Sequence, residues 1–347
     1  MKITGKKPLI FLLTAAVAMF SAGVFFTEPL KADPDYGSYA YEYLRELTDN
    51  YPYRVNNKDI LPNQDAKLAA GEWINSIMTS FGYTPRIITN DWNPSREFGN
   101  YVRSYCYRKP GNSNKRIVIG AHYDSVMTKG TEDNGTGVSV VMELARRLKD
   151  VPTRYSLEFC FWDGEETLGF GGSFNYVRQC LVDNDVRDIV LYINLDCVGS
   201  GDRLLVCGGQ YEDNLLVQSW GYNMTRALLD ELGIDYMTLP KEGTALRPPE
   251  SLSGSDQHFF ATQDVPYVYF LCTAIYDENG QIFYPAAPSK FHTADPRVTA
   301  GEGYIRGQII HTPFDDLDVL EELFPGRIRQ HFNDVERIVV ELINRIT

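Results

Sequence analysis

The chain has 347 residues, of which 44% are hydrophobic and 23% charged, enough for the buried core of one large α/β domain or two small ones. Its formal net charge of −13 argues against nucleic acid as a partner, because binding to phosphates requires an excess of positive charge. An acidic surface favours solubility, and it can also attract cationic substrates such as free amino termini.

The first 32 residues are predicted to be a targeting segment. Three lysines precede a long apolar run at residues 9–26, which is the pattern of a secretory signal peptide. Because the run is long for a signal peptide, an uncleaved N-terminal membrane anchor is the alternative. Both interpretations predict a secreted or otherwise extracytoplasmic protein, with residues 33–347 as its folded domain and the membrane as a partner only through this segment.

The rest of the chain alternates between predicted helices and strands. The helices are 36–50, 64–81, 135–150, a segment that begins after Gly172, 214–232, 255–261 and 325–345. The strands are 85–89, 101–107, 116–120, 155–162, 189–194, 204–207 and 265–271. Turn residues at 110–114 predict a hairpin between the second and third strands. The pattern predicts a single globular α/β domain with a mixed, mostly parallel β-sheet and helices on both faces.

Two long connections and six cysteines complete the description of the chain. Residues 241–254 and 275–302 are rich in Gly and Pro, and connections of this length often form the walls or lids of a site. Four of the six cysteines lie inside apolar strand-like runs, so we expect buried thiols rather than disulfides. The cysteines lack Cys-x-x-Cys spacing, so a thiolate zinc site is not expected.

The most informative residues are two adjacent acids, Glu165 and Glu166, which follow strand 155–162 after a glycine turn. Loops at the carboxyl ends of strands are where α/β proteins bind ligands. Two neighbouring carboxylates repel each other and raise each other's pKa unless a cation lies nearby. A metal ion is the usual cation, so the pair indicates a metal site.

Four further polar residues lie at similar places, and the chain has only five histidines. His122 and Asp196 follow strands, Asp133 precedes a helix, and His311 ends an apolar run. Each of them alone is more often a structural feature, but the combination predicts a site of imidazole and carboxylate ligands. This donor set suits zinc, and a bridging carboxylate would allow two ions.

The motifs around these residues resemble those of the M28 family of zinc peptidases, whose members include two-zinc aminopeptidases. The resemblance runs from about residue 100 to 320. Its motifs are Gly120-Ala-His-Tyr-Asp-Ser125, Asp133-Asn-Gly-Thr-Gly137, Phe161-Trp-Asp-Gly-Glu-Glu166, Asn194-Leu-Asp-Cys-Val-Gly199 and His311-Thr-Pro-Phe-Asp-Asp316. The resemblance implies an α/β zinc aminopeptidase fold for residues 33–347.

The resemblance also implies a role for each residue. Asp133 would bridge two zinc ions, His122 and Asp196 would complete one site, and Glu166 and His311 would complete the other. Glu165 would be the general base that takes a proton from the zinc-activated water and passes it to the leaving amine. Asp124 and Asp315 would be hydrogen-bonding partners of His122 and His311, respectively. The implied activity is metallo-exopeptidase, with peptides that have a free N-terminus as substrates.

Two departures from the family pattern affect the choice of ligands. The family's Ser-Asp-His reads Ser255-Asp256-Gln257 here, so the displaced His258 is not counted as a ligand. A second His-Thr string at His292 resembles the last motif. His311 is preferred because the family's leucine-containing pattern continues after it at residues 317–320.

Two other functions remain open at this point. A glutaminyl-peptide cyclotransferase would share the fold and most motifs but hold one zinc. Ile310 argues against it, because such cyclases usually have Trp beside the ligand histidine. A non-catalytic binding ectodomain of the same fold is the alternative from another class, and the presence of all five ligands together with Glu165 argues against it.

Overall fold

Within the described residues, nine strands form one sheet that positions the rest of the molecule. The computed structural model describes residues 36–55, 65–89, 102–212, 215–238, 254–274, 291–298 and 306–346. The strands are Pro85–Thr89 (β1), Arg103–Lys109 (β2), Ser113–His122 (β3), Tyr155–Trp162 (β4), Ile189–Leu195 (β5), Arg203–Glu212 (β6), Leu215–Val217 (β7), Tyr236–Met237 (β8) and Tyr267–Thr273 (β9). Their order is β1-β2-β4-β3-β5-β9-β6-β7, and β8 pairs with β6.

The centre of the sheet is parallel and its edges are antiparallel. Strands β4, β3, β5 and β9 run parallel to one another. Strand β2 pairs antiparallel with both β1 and β4, and β6 pairs antiparallel with both β9 and β7. The predicted mixed sheet is confirmed, with its parallel pairing confined to these central strands and to the β6–β8 pair.

Helices cover both faces of the sheet, as predicted. They are Ser38–Asn50 (α1), Asp65–Ser80 (α2), Thr136–Leu148 (α3), Glu165–Leu168 (α4), Gly171–Val182 (α5), Trp220–Leu232 (α6), Gln257–Ala261 (α7), Leu317–Leu323 (α8) and Arg327–Ile346 (α9). Successive strand residues point to opposite faces. Ile117 and Ile119 of β3 therefore pack in one core with α1, α2, α3, α6 and α9, while Val118 packs in the other with α5 and α7.

The predicted hairpin at residues 110–114 is wrong. Strand β4 lies between β2 and β3, antiparallel to the first and parallel to the second. The turn residues therefore carry the chain past β4 instead of joining neighbours. Local turn chemistry signalled a change of direction correctly, but only the later strand β4 determines which strands pair.

The helix predicted at 214–232 begins later than expected. Leu215–Val217 forms strand β7, which pairs with β6, and the helix starts at Trp220. Ser219 marks the boundary, because its hydroxyl accepts a hydrogen bond from the Tyr222 amide and so caps the first turn. The strand predicted at 204–207 is correspondingly longer, extending to Glu212.

The order of the central strands creates the place for a site. The chain passes from β3 through α3 to β4 on one side, and then from β4 through α5 to β5 on the other side of β3. Where the connections that follow two neighbouring strands run in opposite directions across the sheet, a crevice opens at the carboxyl ends of those strands. Ligands bind in this crevice in sheets of this kind. His122, the last residue of β3, lies at this point.

Several sequence-based expectations concern other parts of the chain. All six cysteines are buried in the structure, where their thiols are not joined to one another. Among the described helices, none combines the length and apolar character that a membrane crossing requires. The chain divides into two units between Asp33 and Pro34, and every described residue belongs to the second. The predicted targeting segment at 1–32 and most of the connections 241–254 and 275–302 lie outside the described residues.

Candidate metal centre

The structure brings the five predicted ligands together at the crevice. His122 ends β3, Asp196 directly follows β5, and Glu166 is the second residue of α4, just beyond β4. Asp133 lies in the turn Thr131–Gly135 that leads into α3, and its backbone angles there are extended rather than helical. His311 lies in the turn before α8, with a φ of 60° that non-glycine residues rarely adopt. Neighbouring parallel strands therefore deliver residues that are far apart in the sequence to one edge of the sheet.

Asp133 lies between the two imidazoles. Its Oδ1 is 3.1 Å from Nε2 of His122, and its Oδ2 is 3.0 Å from Nε2 of His311. Asp196 Oδ1 lies 3.4 Å from the same His122 nitrogen, and Glu166 Oε2 lies 3.0 Å from the same His311 nitrogen. The five residues thus form two groups that share Asp133, one with His122 and the other with His311.

The remaining acid of the pair, Glu165, lies on the His122 side. One oxygen of its carboxylate, one ring nitrogen of His122 and one oxygen of Asp196 all lie within 4.8 Å of one another. The Asp124 carboxylate fixes the start of α4, because it accepts hydrogen bonds from the amides of Glu165 at 3.2 Å and Glu166 at 3.3 Å. The two glutamates therefore extend from one fixed helical turn toward different groups.

The charges of the site are strongly coupled. Burial raises the pKa of Glu166 to about 8, with repulsion from Asp133 adding to it and His311 opposing it. Burial also disfavours the ionised Asp133, but the imidazoles of His122 and His311, which face its two oxygens, outweigh burial and hold that carboxyl's pKa well below its usual range. Burial lowers the pKa of His311, yet Asp133 and Glu166 raise it to about 11. Such a cluster of acids favours any cation that can enter it.

The donor atoms fit zinc. Glu166 Oε1 and His311 Nε2 are buried and have no partner in hydrogen-bonding geometry among the described residues. Buried polar atoms normally have partners, so orphaned ligand-type atoms beside carboxylates suit a metal ion. Nitrogen and oxygen donors are typical of catalytic zinc.

The buried thiol of Cys197 donates a hydrogen bond to Asp196 Oδ1 at 3.3 Å, and burial raises the pKa of this thiol well above its usual range.

Residues that the sequence analysis missed orient Asp196. Its Oδ2 accepts hydrogen bonds from the Ser255 hydroxyl at 2.7 Å and the Tyr269 hydroxyl at 3.3 Å, which leaves Oδ1 for His122. Ser255 belongs to the Ser-Asp motif and could have been found. Tyr269 carries no sequence signal, because its approach depends on the pairing of β5 with β9.

Two neighbours of Asp133 tie its loop to the loop that carries Asp196. The Asn134 side chain donates to the Leu195 carbonyl at 2.9 Å and accepts from the Cys197 amide at 3.2 Å. The Glu132 carboxylate accepts from the Gly199 and Ser200 amides at 3.0 and 2.8 Å. The two ligand loops are therefore held as one unit.

Of the two predicted supporting acids, Asp124 is near its histidine and Asp315 is not. Nδ1 of His122 lies 3.2 Å from the Asp124 carbonyl oxygen and 3.6 Å from its carboxylate. Asp315 instead accepts from the Glu132 amide at 2.6 Å and the Thr128 hydroxyl at 3.1 Å, with no hydrogen bond to His311 among the described residues. The prediction for Asp315 is corrected: it stabilises the Asp133 loop, because its place just before α8 faces that loop.

A buried arginine completes the support. Arg54 is fully buried, and its guanidinium donates to the carbonyls of Tyr123 at 2.6 Å, Lys129 at 3.0 Å and Gly130 at 2.6 Å. These carbonyls flank His122 on one side and the Asp133 turn on the other. Nothing in the sequence marked Arg54, because its partners are main-chain atoms roughly 70 residues away.

The two competing histidines lie outside the ligand groups. His258 lies on α7, with its ring against Phe259. His292 is fully buried, its Nδ1 accepts from the Ile309 amide at 3.4 Å, and burial lowers its pKa to about 4. Among the described residues, His311 and not His292 contacts Asp133 and Glu166.

Comparisons with known sequences agree with the motifs. The model of peptidase family M28 matches residues 105–333. The chain is 28% identical over 357 residues to the alkaline phosphatase isozyme conversion protein of Escherichia coli (strain K12), with 96% of each chain covered. It is 33% identical over 150 residues to aminopeptidase YwaD of Bacillus subtilis (strain 168), a match that spans 43% of this chain and only 32% of that relative.

Solved structures share the fold. A glutaminyl cyclase from an Acidobacteriales bacterium has a TM-score of 0.61 at 19% identity, with 90% of this chain and 94% of that one covered. The zinc aminopeptidase BSAP from Bacillus subtilis has a TM-score of 0.61 at 15% identity, with 89% and 96% covered. At these identities the likeness shows the fold alone, and it includes both enzyme classes.

Proposed function

Since the chain belongs to peptidase family M28, we propose that it is a zinc-dependent aminopeptidase that removes N-terminal residues from peptides. The observation that carries the proposal is the position of Asp133, with one oxygen 3.1 Å from His122 and the other 3.0 Å from His311. A carboxylate that faces an imidazole on each side suits a bridge between two ions. A site for a single ion would need only one of these two groups.

His122 and Asp196 would hold one zinc ion, His311 and Glu166 the other, and Asp133 both. When bound, zinc polarises a carbonyl and lowers the pKa of a water molecule, so that hydrolysis can proceed near neutral pH. The chain supplies three ligand carboxylates for the four positive charges of two zinc ions. Because these carboxylates neutralise most of the positive charge, the site favours retention of both ions.

Glu165 is placed to move the proton. Its carboxylate lies with His122 and Asp196, and its amide is fixed by Asp124 at 3.2 Å. Desolvation, opposed by His122, holds its pKa well above the usual range for a glutamate. A carboxylate with a raised pKa can take a proton from the attacking water and then donate it to the leaving amine.

The substrate class and location follow from the rest of the chain. The net charge of −13 attracts the positive amino terminus of a peptide, and the predicted targeting segment at 1–32 supports an extracytoplasmic location. The E. coli relative is named for the conversion of an isozyme, which supports a polypeptide substrate. The connections 241–254 and 275–302 are proposed to line the specificity pocket.

Two measurements on the purified protein test this proposal together: the zinc content per chain and the turnover of aminoacyl-nitroanilides against glutaminyl peptides. We expect two zinc ions per chain and release of nitroaniline. One zinc ion with cyclisation of glutaminyl peptides would instead establish the cyclotransferase, which the equally similar cyclase structure keeps as the second candidate. A protein that binds no zinc would contradict both enzymes and favour the binding ectodomain.

A further inference from the structure

Two of the six cysteines face each other across neighbouring strands. Cys106 on β2 and Cys160 on β4 are directly opposite in the antiparallel register. Their sulfur atoms and one oxygen of Glu158 all lie within 4.8 Å of one another. In the described ladders no other cysteine faces a cysteine, since Cys207 is opposite Tyr269 and Cys272 is opposite Leu204.

The register suits a covalent link. Directly opposite residues in an antiparallel pair have Cα atoms about 4.5 or about 5.5 Å apart. Disulfides span Cα separations of about 4.4–6.8 Å, so both kinds of pair fall within the range that a disulfide tolerates. We propose that Cys106 and Cys160 form a cross-strand disulfide when the chain folds under oxidising conditions.

A metal ion is the less favourable occupant of this cluster. The Glu158 carboxylate already accepts from the Tyr176 hydroxyl at 2.7 Å and pairs with the buried Arg116 guanidinium at 3.1 Å. Arg86 lies 3.9 Å from its other oxygen. A cation between the two sulfurs would be repelled by the guanidinium groups of Arg116 and Arg86. Its third ligand would be the Glu158 carboxylate, which is already engaged in the contacts above. An uncharged disulfide meets neither obstacle.

The link would form by thiol–disulfide exchange with a disulfide oxidant, such as oxidised glutathione or a disulfide oxidoreductase. One cysteine thiolate attacks the oxidant and forms a mixed disulfide, and the second attacks the protein sulfur of that bond. The two protein thiols are oxidised, one oxidant disulfide is reduced to two thiols, and those thiols keep the two protons. Cys106 and Cys160 are 1% and 0% exposed in the folded chain. The oxidant must therefore react with them during folding, before the two thiols are buried.

The disulfide would close the segment that carries two proposed ligands. Residues 107–159 include His122 and Asp133, and they would become a loop closed at its base within the sheet. Closing a long loop removes conformational freedom from the unfolded chain, which stabilises the fold. It would also fasten strand β2 to its antiparallel neighbour β4, the strand that leads into Glu165. This inference goes beyond the proposed peptidase activity and does not depend on zinc.

The test is peptide mapping of the full chain. The protein is unfolded, reduced and refolded in a buffer of oxidised and reduced glutathione with a chelator present. It is then alkylated in denaturant without reductant, digested and analysed by mass spectrometry. We expect a linked peptide pair containing Cys106 and Cys160, with the other four of the six cysteines alkylated.

Three variants sharpen the result, with circular dichroism to verify folding. Cys106→Ala and Cys160→Ala should each abolish the linked pair and leave five alkylated thiols, one fewer than the six cysteines. Cys207→Ala on β6, where the cysteine faces Tyr269, is the matched control and should keep the linked pair. Six alkylated cysteines in the refolded wild type, or a link between other cysteines, would overturn the proposal. If a variant does not fold, the wild-type map alone decides, and zinc content and turnover remain separate tests of the peptidase.

Discussion

At the scale of single residues, the site depends on which group each carboxylate oxygen faces. Ser255 and Tyr269 occupy Oδ2 of Asp196, so Oδ1 faces His122. Asp133 has its two oxygens directed at different imidazoles, whereas Glu166 pairs with His311 through one oxygen. This difference separates the proposed bridging role of Asp133 from the role of Glu166. Among the described residues, Glu165 forms no ion pair with His122 or His311. Its place beside His122 and Asp196 suits a general base.

Replacing Glu165 by Gln should leave the fold and the zinc content unchanged and lower kcat by about 10²–10⁴-fold, the usual contribution of a general base. The amide keeps the size of the side chain but cannot accept the proton. Steady-state kinetics and metal analysis measure the two effects. Glu322→Gln on the exposed side of α8 is the control. Wild-type turnover by the Glu165→Gln variant would refute the assignment.

His311→Ala should reduce the zinc content from two ions per chain to one, because Glu166 and Asp133 then lose the imidazole that faces both of them. His292→Ala should keep two ions, because among the described residues it is His311 and not His292 that contacts Asp133 and Glu166. Metal analysis after dialysis distinguishes the variants. Equal zinc loss in both would show that the ligand histidine has been assigned to the wrong motif.

At the scale of elements, the ligands come from short loops that contact one another. Asn134 and Glu132 bind the turn before α3 to the loop after β5. Arg54 binds the segment after α1 to the loops on both sides of the site. The ligands are thus positioned by hydrogen bonds from side chains of one loop to main-chain groups of another, and the sheet fixes where each loop begins.

The close approach of α3 to β5 requires a glycine at position 137. A Cβ atom there would overlap the Leu195 carbonyl oxygen and Asn134 Oδ1. Gly137→Ala should therefore lower the free energy of unfolding by about 1–3 kcal/mol, as for other overpacked sites, and weaken zinc binding by displacing the Asp133 turn. Denaturant titration and zinc titration measure both effects.

Gly254→Ala is the matched control for Gly137→Ala. Its added Cβ would have no neighbour within 4 Å among the residues that the structure describes, so stability and zinc affinity should stay close to those of the wild type. If the two variants behaved alike, the contact between α3 and β5 would not be what positions Asp133.

At the scale of the whole molecule, one sheet with two helical layers supports both stability and the site. One core contains α1, α2, α3, α6 and α9, and the other contains α5 and α7. The long helix α9 also reaches the loop after β5, where the Nδ1–H of His331 donates to the Gly199 carbonyl at 2.7 Å. The stability of the fold and the position of the Asp196 loop are therefore linked through a titratable residue.

His331 makes stability depend on pH. Burial lowers its pKa to about 4 in the folded chain, from 6.5 in the unfolded one. Because the folded pKa is the lower one, its stabilising contribution is complete above pH 6.5 and is lost as the pH falls toward 4. The loss amounts to about 3 kcal/mol. Urea unfolding at several pH values in the presence of a chelator measures it.

The variant His331→Gln should show a smaller loss of stability between pH 7 and pH 4 than the wild type, because glutamine does not titrate. Gln330→Asn on the exposed side of the same helix is the control and should keep the wild-type pH dependence of the free energy of unfolding, because it changes no titratable group. A His331→Gln protein with an unchanged pH dependence would contradict the role given to His331.

The sequence by itself determined the central elements and the residues at their ends. Strand 155–162 and strand 85–89 have the predicted bounds, and the acid pair lies where it was expected, because an apolar run that stops at a turn is a local pattern. His122, Asp196 and His311 were found for the same reason. Their roles as ligands came from the family resemblance and remain proposals for metal analysis to test.

Only the tertiary structure decided which strands are neighbours and which side chains support the ligands. The hairpin at 110–114 was wrong, and Asp315 was given the wrong partner, because both depend on elements that meet from distant parts of the chain. Arg54 and Tyr269 went unnoticed for the same reason. Sequence patterns report the face and the end of each element, whereas contacts between elements follow from the packing of the whole sheet.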